Sequence, residues 1–191
     1  MAHIHPKWLK TVFSEVSDKV NSEPFFSTVL PADTLLNRLY LELATSLEHK
    51  CSQLEQDIAL WQFLACLIRR YAEDSRPIKT FKAPPNSISL ARDYLHAHYY
   101  NNISLEELAD IAGLSRFHFC RVFRQEIGVS ASTYQIQLRI AQARKLLAQG
   151  ERVAETAIAT GFYDQNHFGK HFKRHVGTTP AKYTHSVAIS S

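Results

Sequence analysis

The sequence predicts an all-α chain: two helix-turn-helix subdomains joined by a long linker helix, preceded by a small three-helix N-terminal segment. Three observations predict it. A block in the last third occurs twice, apolar residues recur at intervals of three and four along most segments, and nothing before residue 85 alternates with the period of two that strands need. The block His118-Phe119-Cys120-Arg121-Val122-Phe123-Arg124, followed by Ile127-Gly128, returns 49 residues later as His167-Phe168-Gly169-Lys170-His171-Phe172-Lys173, followed by Val176-Gly177. Each copy follows a short helical pattern that ends in glycine, Ala109 to Gly113-Leu114 and Ala157 to Gly161-Phe162.

Helices in the first 75 residues follow from spacing. Pro6 suits a first turn, and Leu9, Val12, Phe13, Val16 and Val20 follow at helical intervals. Residues 21–31, with Pro24 and Phe25-Phe26, read as a loop. Asp33 can cap a second helix with Leu36, Leu39, Tyr40, Leu43 and Leu47 on its face, and a third runs from about Ser52 to Tyr71 on Leu54, Ile58, Trp61, Ala65 and Ile68. Three such helices alone make a thin core, so they need another domain or a second copy to cover them. Residues 73–86 hold three prolines and little apolar content, and read as a linker between a 1–72 segment and an 87–185 domain.

That domain opens with a helix over about 87–100, with Ile88, Ala91, Leu95 and Tyr99 inward. Ser104-x-x-Glu107 reads as a capping box, and Leu105, Leu108, Ala109 and Ile111 form the face of the next helix. Gly113 breaks it, and Ser115 caps a helix over 116–127. A helix over about 132–149 has Tyr134, Leu138, Ala141 and Leu146 as its face. At about 1.5 Å per residue it spans roughly 27 Å, close to the roughly 34 Å between major grooves on one side of B-DNA. The second unit is a helix over about 153–160, a turn at Gly161, and a helix over 165–176 capped by Asp164, with residues 186–191 as a tail.

Helix, glycine turn, helix is the unit that places one helix in the DNA major groove. Charge agrees: residues 1–85 carry 10 Lys/Arg against 10 Asp/Glu, and residues 86–191 carry 12 against 8, so the whole net charge of +4 lies with the repeat. Cys51, Cys66 and Cys120 form no CxxC and read as free thiols of a cytoplasmic protein. No apolar run is long enough for a membrane span, and the N-terminus lacks a signal-peptide core.

The motif Ile103-Ser104-Leu105-Glu106-Glu107-Leu108-Ala109, then Gly113-Leu114-Ser115, Arg139, Leu146-Leu147, and above all Ala157-x-x-x-Gly161-Phe162-Tyr163-Asp164-Gln165-Asn166-His167-Phe168-x-x-x-Phe172-Lys173-x-x-x-Gly177-Thr178-Thr179-Pro180, resembles the DNA-binding domain of bacterial AraC/XylS-type transcription regulators over residues 86–185. Residues 1–85, through His5-Pro6-Lys7-Trp8-Leu9 and the three helices, resemble the helical tail behind such a protein's β-barrel sensor. The resemblance implies double-stranded DNA as partner, RNA polymerase as a further one, and a homodimer or heterodimer through residues 6–71. The barrel that holds a small-molecule effector is missing from the pattern, so no such effector is expected. Thr156 and Thr160 stand where the family carries apolar residues, Ala131 where proline is common and Thr184 where a basic residue is common.

By position, the resemblance gives base reading to Phe117, Cys120 and Arg121, with Arg124 beside them. Arg121 suits guanine O6 and N7, and Phe117 a thymine methyl. In the second copy Gln165 and Asn166 suit adenine, Lys170 takes the place of Arg121, and Lys173 and Arg174 suit phosphates. The alternative is local packing for Phe117 and solvated surface charge for the rest. His118 and His167 hold equivalent places before a core phenylalanine and read as structural, His171 and His175 lack a carboxylate or cysteine partner at ligand spacing, and His3 and His5 are weak, so no metal and no cofactor is expected. No phosphate loop, HExxH or GxSxG occurs, so an enzyme is not expected. The second expectation is an interaction module that pairs with a full-length relative and modulates it.

Overall fold

The computed structural model describes residues 6–16, 24–26, 33–48, 51–72 and 84–190. Among these residues there are ten helices and no strand. They are α1 (Pro6–Val16), α2 (Thr34–Glu48), α3 (Gln53–Tyr71), α4 (Ser87–His98), α5 (Leu105–Ala112), α6 (Arg116–Ile127), α7 (Ala131–Ala148), α8 (Val153–Ala159), α9 (Gln165–Val176) and α10 (Pro180–Ser190). Val20, most of the expected 21–31 loop, His3 and His5, and 73–83 of the expected linker lie outside the described residues; residues 24–26 are coil.

The caps explain why the boundaries fall where they do. Asp33 accepts from the N–H groups of Leu35 and Leu36, Ser115 from His118, Ser130 from Thr133, and Asp164 from His167. Gly113, Gly128 and Gly177 end their helices with φ of 63°, 85° and 84°, where a side chain would be strained. The capping box at Ser104 forms only by half. Ser104 Oγ accepts from the Glu107 N–H at 3.1 Å, but the Glu107 carboxylate accepts from the Tyr94 hydroxyl of α4 instead of reaching back. The complete box lies at Ser52, where Glu55 Oε2 accepts from the Ser52 N–H at 3.2 Å. Helix α10 was not expected, although Thr179-Pro180 is a cap followed by a first-turn proline, and Thr179 Oγ1 accepts from the Lys182 N–H.

Two apolar cores form. One joins α1, α2 and α3 to α4, α5, α6 and the start of α7 without a break, from Val12 and Phe13 through Leu54, Trp61 and Leu64 to Leu105, Phe119 and Phe123. The partner surface that the three N-terminal helices need is therefore the first helix-turn-helix unit. The second core gathers Ile136, Ile140, Ala143 and Leu147 of α7 with Ala157, Phe162, Phe168 and Phe172. The apolar face expected of α7 is displaced: Tyr134, Leu138 and Leu146 are half-buried and Ala141 is exposed. A helix packed between two units has two apolar sides, and periodicity alone does not rank them. On α2, Leu36 and Leu43 are buried as expected, Leu39 is half-buried, and Tyr40 and Leu47 stay about half exposed. On α5, Ala112 is buried and Ile111 only half so.

Polar ties lock the N-terminal segment to the first unit. Asp57 of α3 accepts from the Leu105 N–H, a free donor at the start of α5, at 3.0 Å. In return Asn102 Oδ1 accepts from the Gln53 N–H at the start of α3, also at 3.0 Å. The two units of the repeat meet at the turn after α4. Arg139 of α7, 1% exposed, donates from Nε to the Tyr99 carbonyl at 2.7 Å and from Nη2 to the Asn101 carbonyl at 2.9 Å. Gln135 donates to both carbonyls at 3.0 Å. Gly161 of the second unit lies against the same turn: a Cβ there would sit 2.2 Å from the Tyr100 carbonyl oxygen. Burial lowers the Arg139 pKa to about 10, which still leaves it a cation at neutral pH.

Thr156 of α8 and Thr160, which follows the helix as its C-cap, are both fully buried. Thr160 Oγ1 donates to the Thr156 carbonyl at 2.7 Å, so its hydroxyl is satisfied, while Thr156 Oγ1 is buried without a partner. Thr156→Val should accordingly raise stability by about 1 kcal/mol, read as a shift of the urea midpoint at unchanged slope. Arg139→Met should cost about 2 kcal/mol or more, with Gln135 left to serve both carbonyls; an unchanged midpoint would show that the turn does not depend on the guanidinium.

Candidate nucleic-acid interface

The helices equivalent by repeat, α6 and α9, each follow a short helix and a glycine turn, and each turns an aromatic face inward: Phe119 and Phe123 on α6, Phe168 and Phe172 on α9. The opposite face is left to solvent. On α9 it carries Gln165, Asn166, Lys170, Lys173 and Arg174, all exposed. On α6 it carries Arg121 and Arg124, also exposed.

Phe117 and Cys120 differ. Both are half-buried and pack against the core that the N-terminal helices share with the first unit. Glu15 of α1 is the residue at the contact. Its Oε1 lies 3.3 Å from Arg116 Nε, and its Oε2 accepts from the Phe117 N–H at 3.1 Å. The Arg116 guanidinium lies 4.9 Å from the ring centre of Trp61 on α3 and also meets Glu106 at 3.4 Å. Burial, with the Glu15 and Asp57 carboxylates adding to it, pushes the Cys120 thiol up to about 12. A carboxylate here occupies the start of α6, where free N–H groups and the helix dipole favour an anion. No local pattern signals this contact, because Glu15 and Arg116 are separated by 101 residues.

The flank of α9 is covered as well. His167 is buried, and its Nε2 lies 3.6 Å from Glu55 Oε2 of α3, just beyond hydrogen-bond length; neither of its ring nitrogens has a hydrogen-bond partner. His171 Nε2 lies 3.5 Å from Glu55 Oε1, and the two imidazoles meet edge to face at 4.6 Å. Burial lowers the His171 pKa to about 4, so the ring is neutral at physiological pH. Cys51, just before α3, stands within 4.8 Å of the Glu55 and His167 ligand atoms. The carboxylate and the cysteine that the histidine spacing lacks are thus supplied from the N-terminal segment. The readable signal at Glu55 was its place in Ser52-x-x-Glu55, and a capping box accounts for that residue without any further role.

Two tandem helix-turn-helix units with exposed basic and amide-bearing second helices define a double helix-turn-helix module. Residues 108–186 match the profile of a family described as a helix-turn-helix domain. The structure is similar to the DNA-binding domain of AdpA, a global transcriptional factor solved with a target DNA, at 28% identity and a TM-score of 0.52, covering 55% of this chain and 95% of that one. It is also similar to a transcriptional regulator with an AraC-type DNA-binding domain from Chromobacterium violaceum, at 28% identity and a TM-score of 0.50, covering 53% and 92%. In sequence the chain is 33% identical over 144 residues to YbfI, an HTH-type transcriptional regulator of Bacillus subtilis, covering 75% of this chain and 52% of that protein. It is 24% identical over 157 residues to the lactose operon transcription activator of Staphylococcus xylosus, covering 81% and 55%. Residues 108–186 thus match a helix-turn-helix family, and the C-terminal domain is similar to solved AraC-type DNA-binding domains. The chain spans about half the length of these two curated relatives. Among the described residues no helix is long and apolar enough to cross a membrane.

The cover over α6 can be tested without DNA. Cys120 should react slowly with a thiol-alkylating reagent in the native protein, and Glu15→Ala should speed its labelling several-fold while Cys66 serves as internal reference. Equal rates in the two proteins would mean that Glu15 does not hold α1 on α6.

Proposed function

We propose that this chain is a sequence-specific transcription regulator that binds double-stranded DNA through α6 and α9 in successive major grooves. The observation that carries the reading is the pair of equivalent helices, each turning its aromatic face into a core and its basic face outward, on a domain of AraC type. In this reading Arg121 and Lys170 reach base edges, Gln165 and Asn166 pair with adenine, and Arg124, Lys173 and Arg174 hold phosphates. Phe117 and Cys120 take part once α1 withdraws, since Glu15 shares their surface. RNA polymerase is a partner in this reading, and the cytoplasm its location.

A second reading, association through the N-terminal segment, is favoured by α2. Leu41 is 62% exposed, and Leu35, Tyr40 and Leu47 are each at least 41% exposed on the same helix. A dimer of the full chain through α2 would give two double modules and a four-box site. Sedimentation of the wild type beside Leu41→Asp decides it: equal monomer masses remove this reading.

Selection of duplexes from a random pool with the full chain should yield two boxes about one helical turn apart. Arg121→Ala should then lose about 1–3 kcal/mol of discrimination at one box, and Lys173→Ala should weaken all sequences alike and flatten the salt dependence by about one unit. Wild-type discrimination in Arg121→Ala would remove that residue from base reading.

A further inference from the structure

We infer that Cys51, Glu55, His167 and His171 form a binding site for a divalent transition-metal cation of zinc type, which staples the N-terminal segment to the second recognition helix. Two elements from opposite ends of the chain build it. Cys51 and Glu55 come from the turn before α3 and its first turn, and His167 and His171 stand one helical turn apart on α9.

The geometry suits a small tetrahedral site. Ligand atoms about 2.0–2.3 Å from a common ion at tetrahedral angles lie roughly 3.3–3.7 Å from one another. Glu55 Oε2 lies 3.6 Å from His167 Nε2, and Glu55 Oε1 lies 3.5 Å from His171 Nε2. Both distances fall in that range, each imidazole facing its own oxygen of the Glu55 carboxylate. The Cys51 sulfur lies within 4.8 Å of the Glu55 and His167 ligand atoms, so closing that trio takes a shift on the order of 1 Å in a residue at the end of a turn, and His171 joins it through Glu55 Oε1.

The burial of His167 points the same way. His167 is 5% exposed; its Nδ1 has no hydrogen-bond partner, and its Nε2 faces only the Glu55 carboxylate, at 3.6 Å. A buried polar group left unpaired costs about 1–3 kcal/mol, so a fold that keeps one has a reason to keep it. An ion at the Glu55 carboxylate would satisfy Nε2. Ser52 already bonds Glu55 Oε2 through its hydroxyl at 2.8 Å, which fixes the carboxylate and leaves Oε1 turned to His171. The donor set, one sulfur, two imidazoles and one carboxylate, suits zinc or cobalt over calcium or magnesium. Glu55 and His171 keep a little solvent exposure, which gives an ion a way in.

The consequence would be mechanical. Helix α3 carries Asp57 and Trp61 further along its length, and these meet α5 and Arg116 of α6. An ion that fixes the start of α3 on α9 therefore also holds the segment over Phe117 and Cys120. The site itself does not depend on the proposed DNA binding.

Cobalt(II) titrated into the metal-free full chain tests it. The expected result is one equivalent bound, with a sulfur-to-cobalt charge-transfer band and the intense visible bands of a tetrahedral ion, and displacement by zinc. Cys51→Ser should lose the charge-transfer band, and His171→Asn should weaken binding about tenfold or more. Both side chains are half-buried, and unchanged circular dichroism shows that the variants fold. Zinc should raise the melting temperature of the wild type and not of the double variant. Binding without the sulfur band, or binding and melting shifts that persist in the double variant, would place the ion elsewhere, such as on His3 and His5, and overturn the assignment. Loss of DNA binding alone would not bear on it.

Discussion

The turn at residues 99–101 is the constraint on which the rest of the structure depends. Its carbonyls point inward between the two units, and a buried arginine and a buried glutamine from one helix answer them. An arginine in an apolar interior is costly unless its donors are used, and here Nε and Nη2 of Arg139 bond carbonyls while the ring of Phe162 lies 5.8 Å from its Cζ. The second unit reaches the same turn through Gly161, at a distance only a residue without a side chain allows. The two units are thereby tied to each other at one turn, through α7 and Gly161.

The N-terminal segment adds a second constraint. It shares one continuous core with the first unit, exchanges helix-start bonds with it through Asp57 and Asn102, and lays Glu15 on the first turn of α6. An anion-accepting helix start is what a DNA phosphate would also seek. Under the proposed function the segment and a duplex would compete for part of one surface, and the energy that holds α1 in place would be subtracted from the affinity for DNA. The segment meets the second unit at a polar cluster, where Glu55 faces His167 and His171. Anything that tightens or loosens that cluster acts on the position of α3, and through α3 on the cover over α6.

Local signals fixed most of the elements. Caps at Asp33, Ser115 and Asp164 and the glycines at 113, 128 and 161 mark boundaries because each satisfies or relieves a backbone requirement that sequence neighbours alone create. The repeat located both units because duplicated residues keep their spacing. What failed was the choice among apolar faces. Tyr134, Leu138 and Ala141 follow a helical interval as well as Ile136, Ile140 and Ala143 do, and only the packing of α7 between two units selects the second set. Glu107 failed for a related reason: a tyrosine from another helix outcompeted the local N–H for its carboxylate.

The sequence by itself determined the helices, the duplication and the basic outward face of α9, since all three rest on interactions within about a turn or on residue identity. The tertiary structure alone decided that Glu15 covers Phe117, that Arg139 and Gly161 share one turn, and that Cys51 and Glu55 stand beside His167 and His171. Those contacts join residues more than twenty positions apart, up to more than a hundred. No local periodicity carries that information; it is created when the chain buries its apolar faces and brings distant polar groups to one place.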